Sequence, residues 1–369
     1  MLPLPWFELK VSLVIGGCAG FLMHRSDFCM TRAFRDLFLF RSLAMLRPLL
    51  LLVVASALLF ETGRLMGILP YYPFPWFGPP ALTSLAGGVL FGLGMVLAGG
   101  CVVGVLYKMG AGSLLAAIAF VGLLVGSALY AELHSWWIGL AGASRLAGDA
   151  RTVAEWLGVA PWLTLWPALI AGTVVCWLWW RTGRLRSGHA AEGFIPPWQS
   201  ALALAGLSLL SVLLIGLPMG VTTSYAKLAA SLESLVAPAH VAGLTFFSAQ
   251  PISYTFPLEQ LPRVGGAGPV FDVVAMIQVP LIVGIVAGSA LSAGLLGELR
   301  LNSSLPPRQV GMVFVGGVVM ALGSRMTPGC NLWHIMGGLP LLTLQSLLFV
   351  AGLFPGAWLG SLLLRRVVM

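Results

Sequence analysis

Long apolar runs, not alternating apolar and polar positions, organise this chain. Nine stretches are almost continuously apolar: 9–24, 43–66, 83–100, 113–130, 161–180, 197–216, 270–297, 310–327 and 340–364. A helix crosses a ~30 Å hydrocarbon core with roughly 20 apolar residues. Each run therefore predicts one spanning helix. Strict alternation, the mark of a transmembrane barrel, is missing from them. The predicted fold class is an all-α polytopic membrane protein of about nine spans.

Composition excludes the soluble alternatives. Of the 369 residues, 59% are apolar and only 9% charged, with a mean hydropathy of +0.96. An ordinary soluble domain carries about 25% charged residues. A soluble globule with this composition would lack the polar surface to cover itself. A soluble enzyme, a disordered chain and a secreted disulfide scaffold are all excluded. Five cysteines with no CxxC pair predict neither a zinc site nor a disulfide framework. No metal and no cofactor is expected. The first apolar run has no basic region before it and no small-residue cleavage site after it, so it reads as a retained span.

The net charge of +8 orients the spans and does not mark a nucleic-acid partner. Basic residues gather after the first span (Arg25, Arg32, Arg35, Arg41, Arg47), after the fifth (Arg181, Arg184, Arg186), after the seventh (Arg300, Arg308) and at Arg365 and Arg366. Placing all of these in the cytoplasm lets nine spans alternate without conflict. The N-terminus is then outside and the C-terminus inside. The intervening loops fit: 67–82 carries no Lys or Arg and reads as an aromatic interfacial turn, and 131–160 reads as a loop of mixed charge.

An internal repeat is visible. Gly87–Cys101 aligns without gaps on Gly316–Cys330 with seven identities, GGV at the start, LG in the middle and GC at the end. A weaker pairing sets Arg25–Thr31 against Leu217–Thr223. The chain then divides into a first repeat (1–160), a linker helix and loop (161–196) and a second, inverted repeat (197–369) within one transmembrane domain. Inverted repeats place a transporter's site near the midplane between the halves.

Four stretches predict broken helices: Arg25–Thr31, Gly99–Gly104, Gly216–Thr223 and Thr327–Asn331. Backbone can break at membrane depth only where protein or a wet cavity satisfies it. Each restarting helix offers unpaired N–H groups and a positive dipole end, which suits an anion. Cys29, Cys101 and Cys330 fall at these breaks. Cys18 and Cys176 read as small apolar packing residues. Gly100 and Gly329 precede two of the three thiols and let another group approach closely. Thiols are weak donors and soft, polarizable partners, matched to sulfur. A row of weak sites also releases a dianion that a row of ammonium groups would hold. The thiols should be neutral as such an ion passes. Arg325 and Lys108 each carry two readings, attraction of the anion or a charge that snorkels to the surface. His24 and His334 read as hydrogen-bonding residues, not metal ligands, and Arg32, Arg35 and Asp36 as a charged face.

At these residues the sequence resembles the YeeE/YedE family of bacterial inner-membrane proteins. The matching stretches are HRSDFCMTRAFRDLF (24–38), LAGGCVVGVLYKMGAGS (97–113), MGVTTSYAKL (219–228) and GSRMTPGCNLWHIMGGLPLLTLQSLLFVAGLFPGAWLG (323–360). The resemblance implies nine spanning helices plus short re-entrant helices in an inverted-repeat hourglass. It implies a transporter, not an enzyme, that imports thiosulfate past Cys29, Cys101 and Cys330 by transient S–H contacts. It also implies a cytoplasmic TusA-like sulfur-carrier protein as partner, with membrane lipid around the bundle. The segment 225–269 departs from the family pattern in its length. Another sulfur or selenium species as cargo, and a membrane thiol relay or enzyme acting with a sulfurtransferase, remain as alternatives.

Overall fold

A computed structural model describes residues 5–69, 77–186, 192–257, 261–301 and 305–368. The chain runs α1 (Pro5–Arg25), α2 (Met30–Phe40), α3 (Leu46–Leu65), α4 (Leu82–Leu97), α5 (Val102–Gly110), α6 (Leu114–Ala143), α7 (Val153–Leu157) and α8 (Pro161–Arg181). It continues with α9 (Pro197–Ile215), α10 (Thr222–Ser234), α11 (Pro238–Gly243) and α12 (Thr245–Ser248). The hairpin β1 (Ile252–Thr255) and β2 (Pro262–Gly265) follows, then α13 (Val273–Leu295) and α14 (Pro307–Met326). A π-helical turn (Trp333–Gly338), a 3₁₀ turn (Leu339–Leu341) and α15 (Leu344–Val368) complete it. Among the described residues, nine segments are long and apolar enough to span a membrane, with α1–α2 and α4–α5 each counting as one. This is an all-α polytopic membrane protein. Residues 70–76 of the aromatic turn expected at 67–82 lie outside the described residues.

Two boundaries differ from expectation. The fourth span does not end near 130: α6 runs 30 residues to Ala143. Glu132, His134 and Ser135 lower the hydropathy there, but no Pro interrupts the helix. The last helix starts at Leu344 because the chain after Cys330 first winds through the π and 3₁₀ turns. The segment 225–269 completes α10 and then builds α11, α12 and the hairpin, whose strands pair from Ile252↔Gly265 to Thr255↔Pro262.

Helices pack where glycine removes the side chain between them. α1 lies along α13 and α3 along α9; α15 lies along α4 and α6 along α14; α4 and α14 also lie along each other. The α4–α14 contact is reciprocal. A Cβ placed on Gly94 would stand 2.7 Å from Gly316 O, and one on Gly323 would stand 2.6 Å from Gly87 O. Gly88 meets Phe349 and Gly352 of α15, while Gly317 meets Ala119 and Gly122 of α6. The glycines shared by the two aligned segments are therefore points of closest backbone approach. In lipid, where tails are as apolar as Leu, such close packing is what drives helices together. Phe91, Met95, Leu123, Phe349 and Leu353, all fully buried, fill the remaining space around this contact. α8 packs on α3 and α7 and leaves most of its length exposed.

The ends of the bundle differ in charge. At one end Arg47 donates to Arg184 O (3.0 Å), Ile195 N donates to Arg25 O (2.9 Å) and Gly112 packs on the backbone of Arg300. Three of the basic segments thus share one face. At the other, Lys227 is buried and pairs with Asp272 at 2.8 Å, also donating to Gly268 O and Val270 O. That lysine pins α10 to the loop before α13.

Candidate functional site

All four expected breaks are present, and each carries one residue in the left-handed region: Asp27 (φ 47°), Gly99 (φ 69°), Gly216 (φ 90°) and Gly329 (φ 136°). A left-handed residue ends a helix and redirects the chain. Gly serves at three of them because it has no Cβ to clash. The chain then restarts as a half-helix. Cys29 is the N-cap of α2 and Cys101 the N-cap of α5. Cys330 immediately precedes the helical turn that opens at Asn331. The fourth restart, at α10, has Val221 as its N-cap.

The three thiols are buried. Cys101 Sγ accepts a hydrogen bond from Gly104 N at 3.3 Å. The Cys330 thiol faces the backbone N–H groups of Leu332 and Trp333. Cys29 caps no amide with its side chain. A Cβ on Gly104 would lie 3.4 Å from Cys101 Sγ and 3.6 Å from Cys29 Sγ. Two thiols thus look onto one small space that glycine keeps clear. Tyr225, from α10, lies within electrostatic reach of both Cys101 and Cys330, and its hydroxyl donates to Val102 O at 3.4 Å. The structure therefore brings together the three cysteines picked from sequence. Cys18 is exposed on α1, away from the packing role expected of it, whereas Cys176 is buried.

Charged groups flank the thiols. On one side, a cavity of about 350 Å³ is lined by Asp27, Cys29, Arg32, Arg35, Asp36 and Lys108. Arg32 pairs with Asp27 and with Asp36, and Arg35 pairs with Asp36 at 2.9 Å, so the expected charged face is an ion-paired network. Lys108 Nζ donates to Gly99 O at 2.5 Å, clamping the break before Cys101. On the other side Arg325 is 7% exposed, and its Nε has no hydrogen-bond partner. Among the described residues no carboxylate pairs with it. Its nearest electrostatic neighbours are Tyr130 and Cys330.

Gly100 and Gly329 have clearer roles than expected. A Cβ on Gly100 would press on the first turn of α5, 3.1 Å from Gly104 C. One on Gly329 would stand 2.6 Å from the Trp333 ring and 3.0 Å from His334 Nε2. The groups they admit are the protein's own. His334 Nδ1 is hydrogen-bonded to Ser346 Oγ at 2.8 Å, and His24 Nδ1 to Ser292 Oγ at 3.0 Å.

Sequence reasoning missed two polar groups. Asn331 is fully buried, and its amide faces the Cys101 thiol. Neither of its side-chain polar atoms makes a hydrogen bond of good geometry. Tyr107 is 3% exposed; its hydroxyl faces Cys29, likewise outside good hydrogen-bond geometry. The available signal was the polar residue directly after Cys330 in an apolar context. Away from the thiols, Glu132, Glu233 and His240 bring their ligand atoms within 4.8 Å of one another, and His240 Nε2 meets Glu132 at 2.6 Å.

Known proteins resemble this chain over nearly its whole length. The family described as sulphur transport matches residues 25–359. A protein named thiosulfate transporter TsuA from Spirochaeta thermophila is 28% identical over 360 residues, covering 94% of this chain and 97% of that protein. One of the same name from Escherichia coli is 26% identical over 356 residues, covering 95% and 92%. A probable transporter YedE from Salmonella typhimurium is 31% identical over 133 residues, 36% of this chain and 27% of its own length. The family match extends from the first helix break into the last span, and the chain belongs to the sulphur transport family.

Proposed function

We propose that this protein imports thiosulfate across the bacterial inner membrane along a path formed by Cys330, Cys101 and Cys29. The observation that carries the reading is the thiol cluster itself. Three buried sulfhydryls, each at the start of a helical segment, lie between a buried cation with no carboxylate partner among the described residues and a polar cavity. An uncompensated buried charge costs several kcal/mol. A dianion beside Arg325 would offset that cost, so Arg325 attracts the ion at the outer side. Lys108 holds the break open at the inner side and adds positive charge to the cavity. Helix starts supply partial positive charge without binding too tightly. The soft terminal sulfur of thiosulfate then meets thiols that donate weakly and form no lasting bond.

The two halves, 1–160 and 197–369, act as inverted repeats joined by 161–196. The reciprocal glycine contacts of α4 and α14 support this, as do the matched pairings α1–α13 with α9–α3 and α15–α4 with α6–α14. The clustered arginines face the cytoplasm, the N-terminus lies outside and the C-terminus inside. Inward movement of a dianion against an inside-negative potential costs about 4.6 kcal/mol per 100 mV. Consumption at the inner face, by a TusA-like sulfur carrier drawing from the cavity beside Cys29, keeps the flux inward.

The test is uptake of ³⁵S-labelled thiosulfate into liposomes holding purified protein, comparing the parent with Cys29→Ala, Cys101→Ala and Cys330→Ala. Parent uptake with loss in Cys101→Ala and impairment in the other two is the expected result. Equal uptake by the parent and all three variants would sink the thiol path.

A further inference from the structure

Asn331 and Tyr107 present a problem of physical accounting. Both are buried, and their polar ends lie among the thiols with no hydrogen bond of good geometry. A buried polar group normally finds a partner, and leaving one unsatisfied is costly. Each also faces a cysteine: Asn331 faces Cys101, and Tyr107 faces Cys29. Asn331 follows Cys330 directly in the chain. Asn331 thus lies beside Cys330 and Cys101, and Tyr107 beside the space onto which Cys101 and Cys29 look. Strong hydrogen-bond donors accompany the thiols at both ends of the cluster.

We infer that Asn331 and Tyr107 recognise the oxygen end of the ion while the cysteines receive its sulfur end. This deepens the thiosulfate reading and rests on it. Thiosulfate has two chemically distinct ends, a soft terminal sulfur and a hard sulfonate face. A thiol is a poor donor to hard oxygens, whereas an amide N–H₂ and a phenol O–H are good ones. Hydrogen bonds to a charged group are also stronger than those between neutral groups. With donors of both kinds in sequence, the ion exchanges one matched pair of contacts for the next. The unfilled hydrogen-bonding capacity of Asn331 and Tyr107 is then the binding site itself. The same pairing of thiols with donors discriminates against ions that carry only one kind of end.

The experiment uses the full-length protein in liposomes with ³⁵S-labelled thiosulfate, comparing the parent with Asn331→Leu and Tyr107→Phe. Uptake kinetics, thermal stability in detergent and protection of Cys101 from a maleimide by thiosulfate are measured for each. Each variant should raise KM, and the thiosulfate concentration that half-protects Cys101, by about tenfold or more. Thermal stability should stay level or rise, since no internal hydrogen bond is lost. KM and protection within twofold of the parent would overturn the inference for that residue. Loss of uptake together with a large fall in melting temperature would assign the residue a structural role and overturn it equally. A parent that neither takes up thiosulfate nor is protected by it would fail differently. The underlying thiosulfate reading would then fall, and this inference with it.

Discussion

At the residue scale, chemistry and stability pull apart, which makes single substitutions informative. Arg325 is a cation buried without a carboxylate partner among the described residues. Replacing it by Met removes a group whose burial is costly, so Arg325→Met should keep or raise the melting temperature while thiosulfate uptake falls about tenfold or more. A calorimetric scan and an uptake assay on the same preparation check both halves. His240 offers a pH-dependent case. The Glu132 carboxylate that it hydrogen-bonds, with Glu233 nearby, raises its pKa above the ordinary 6.5. A raised folded pKa gives stability that is fully present below pH 6.5 and is lost as pH rises through the folded value. The melting temperature of the parent should therefore exceed that of Glu132→Gln most at pH 6, and the gap should close as pH rises toward 8. A gap that does not change with pH would contradict this. Cys101 and Cys330 were legible in the sequence because they follow Gly-Gly and Pro-Gly in apolar surroundings, and Cys29 because it follows the polar stretch Arg25–Asp27 after an apolar run. Asn331 offered only its place after Cys330 as a signal and Tyr107 offered none, because only three-dimensional packing reveals that a polar atom has no internal partner.

At the element scale, hydropathy located every span, and small or polar residues located every break. Helix length was less legible. Residues 131–143 contain polar groups but no helix breaker, so α6 extends beyond the apolar core. The π-helical turn after Cys330 also left no sequence mark, since His334 and Gly338 are positioned by contacts with Ser346 and Phe77. The aligned GGV and LG segments were visible as repeats, but their role as packing surfaces needed coordinates. Gly94→Ala and Gly323→Ala each force a methyl group against backbone, so each should cost about 1–3 kcal/mol of stability. Gly139 has open space around it, and Gly139→Ala should change stability by no more than about 0.5 kcal/mol. Chemical or thermal denaturation in one detergent compares the three.

At the scale of the whole molecule, the balance between ion charge and membrane potential decides what transport can achieve. An uncoupled path for a dianion should respond strongly to voltage. In liposomes clamped at 100 mV inside negative, the equilibrium ratio of internal to external thiosulfate should fall about 10³-fold below its value at zero potential. Isotope distribution under valinomycin clamps measures this, and a ratio unaffected by voltage would show that a compensating ion travels too. The close contact of α4 and α14 adds one more consequence. Helices that touch chain to chain leave no slack for rotamers to take up. The spacing of these two helices is then gauged by rigid rails and not by mobile side groups. Warming the proposed path beside them should quicken the traffic without widening what it admits.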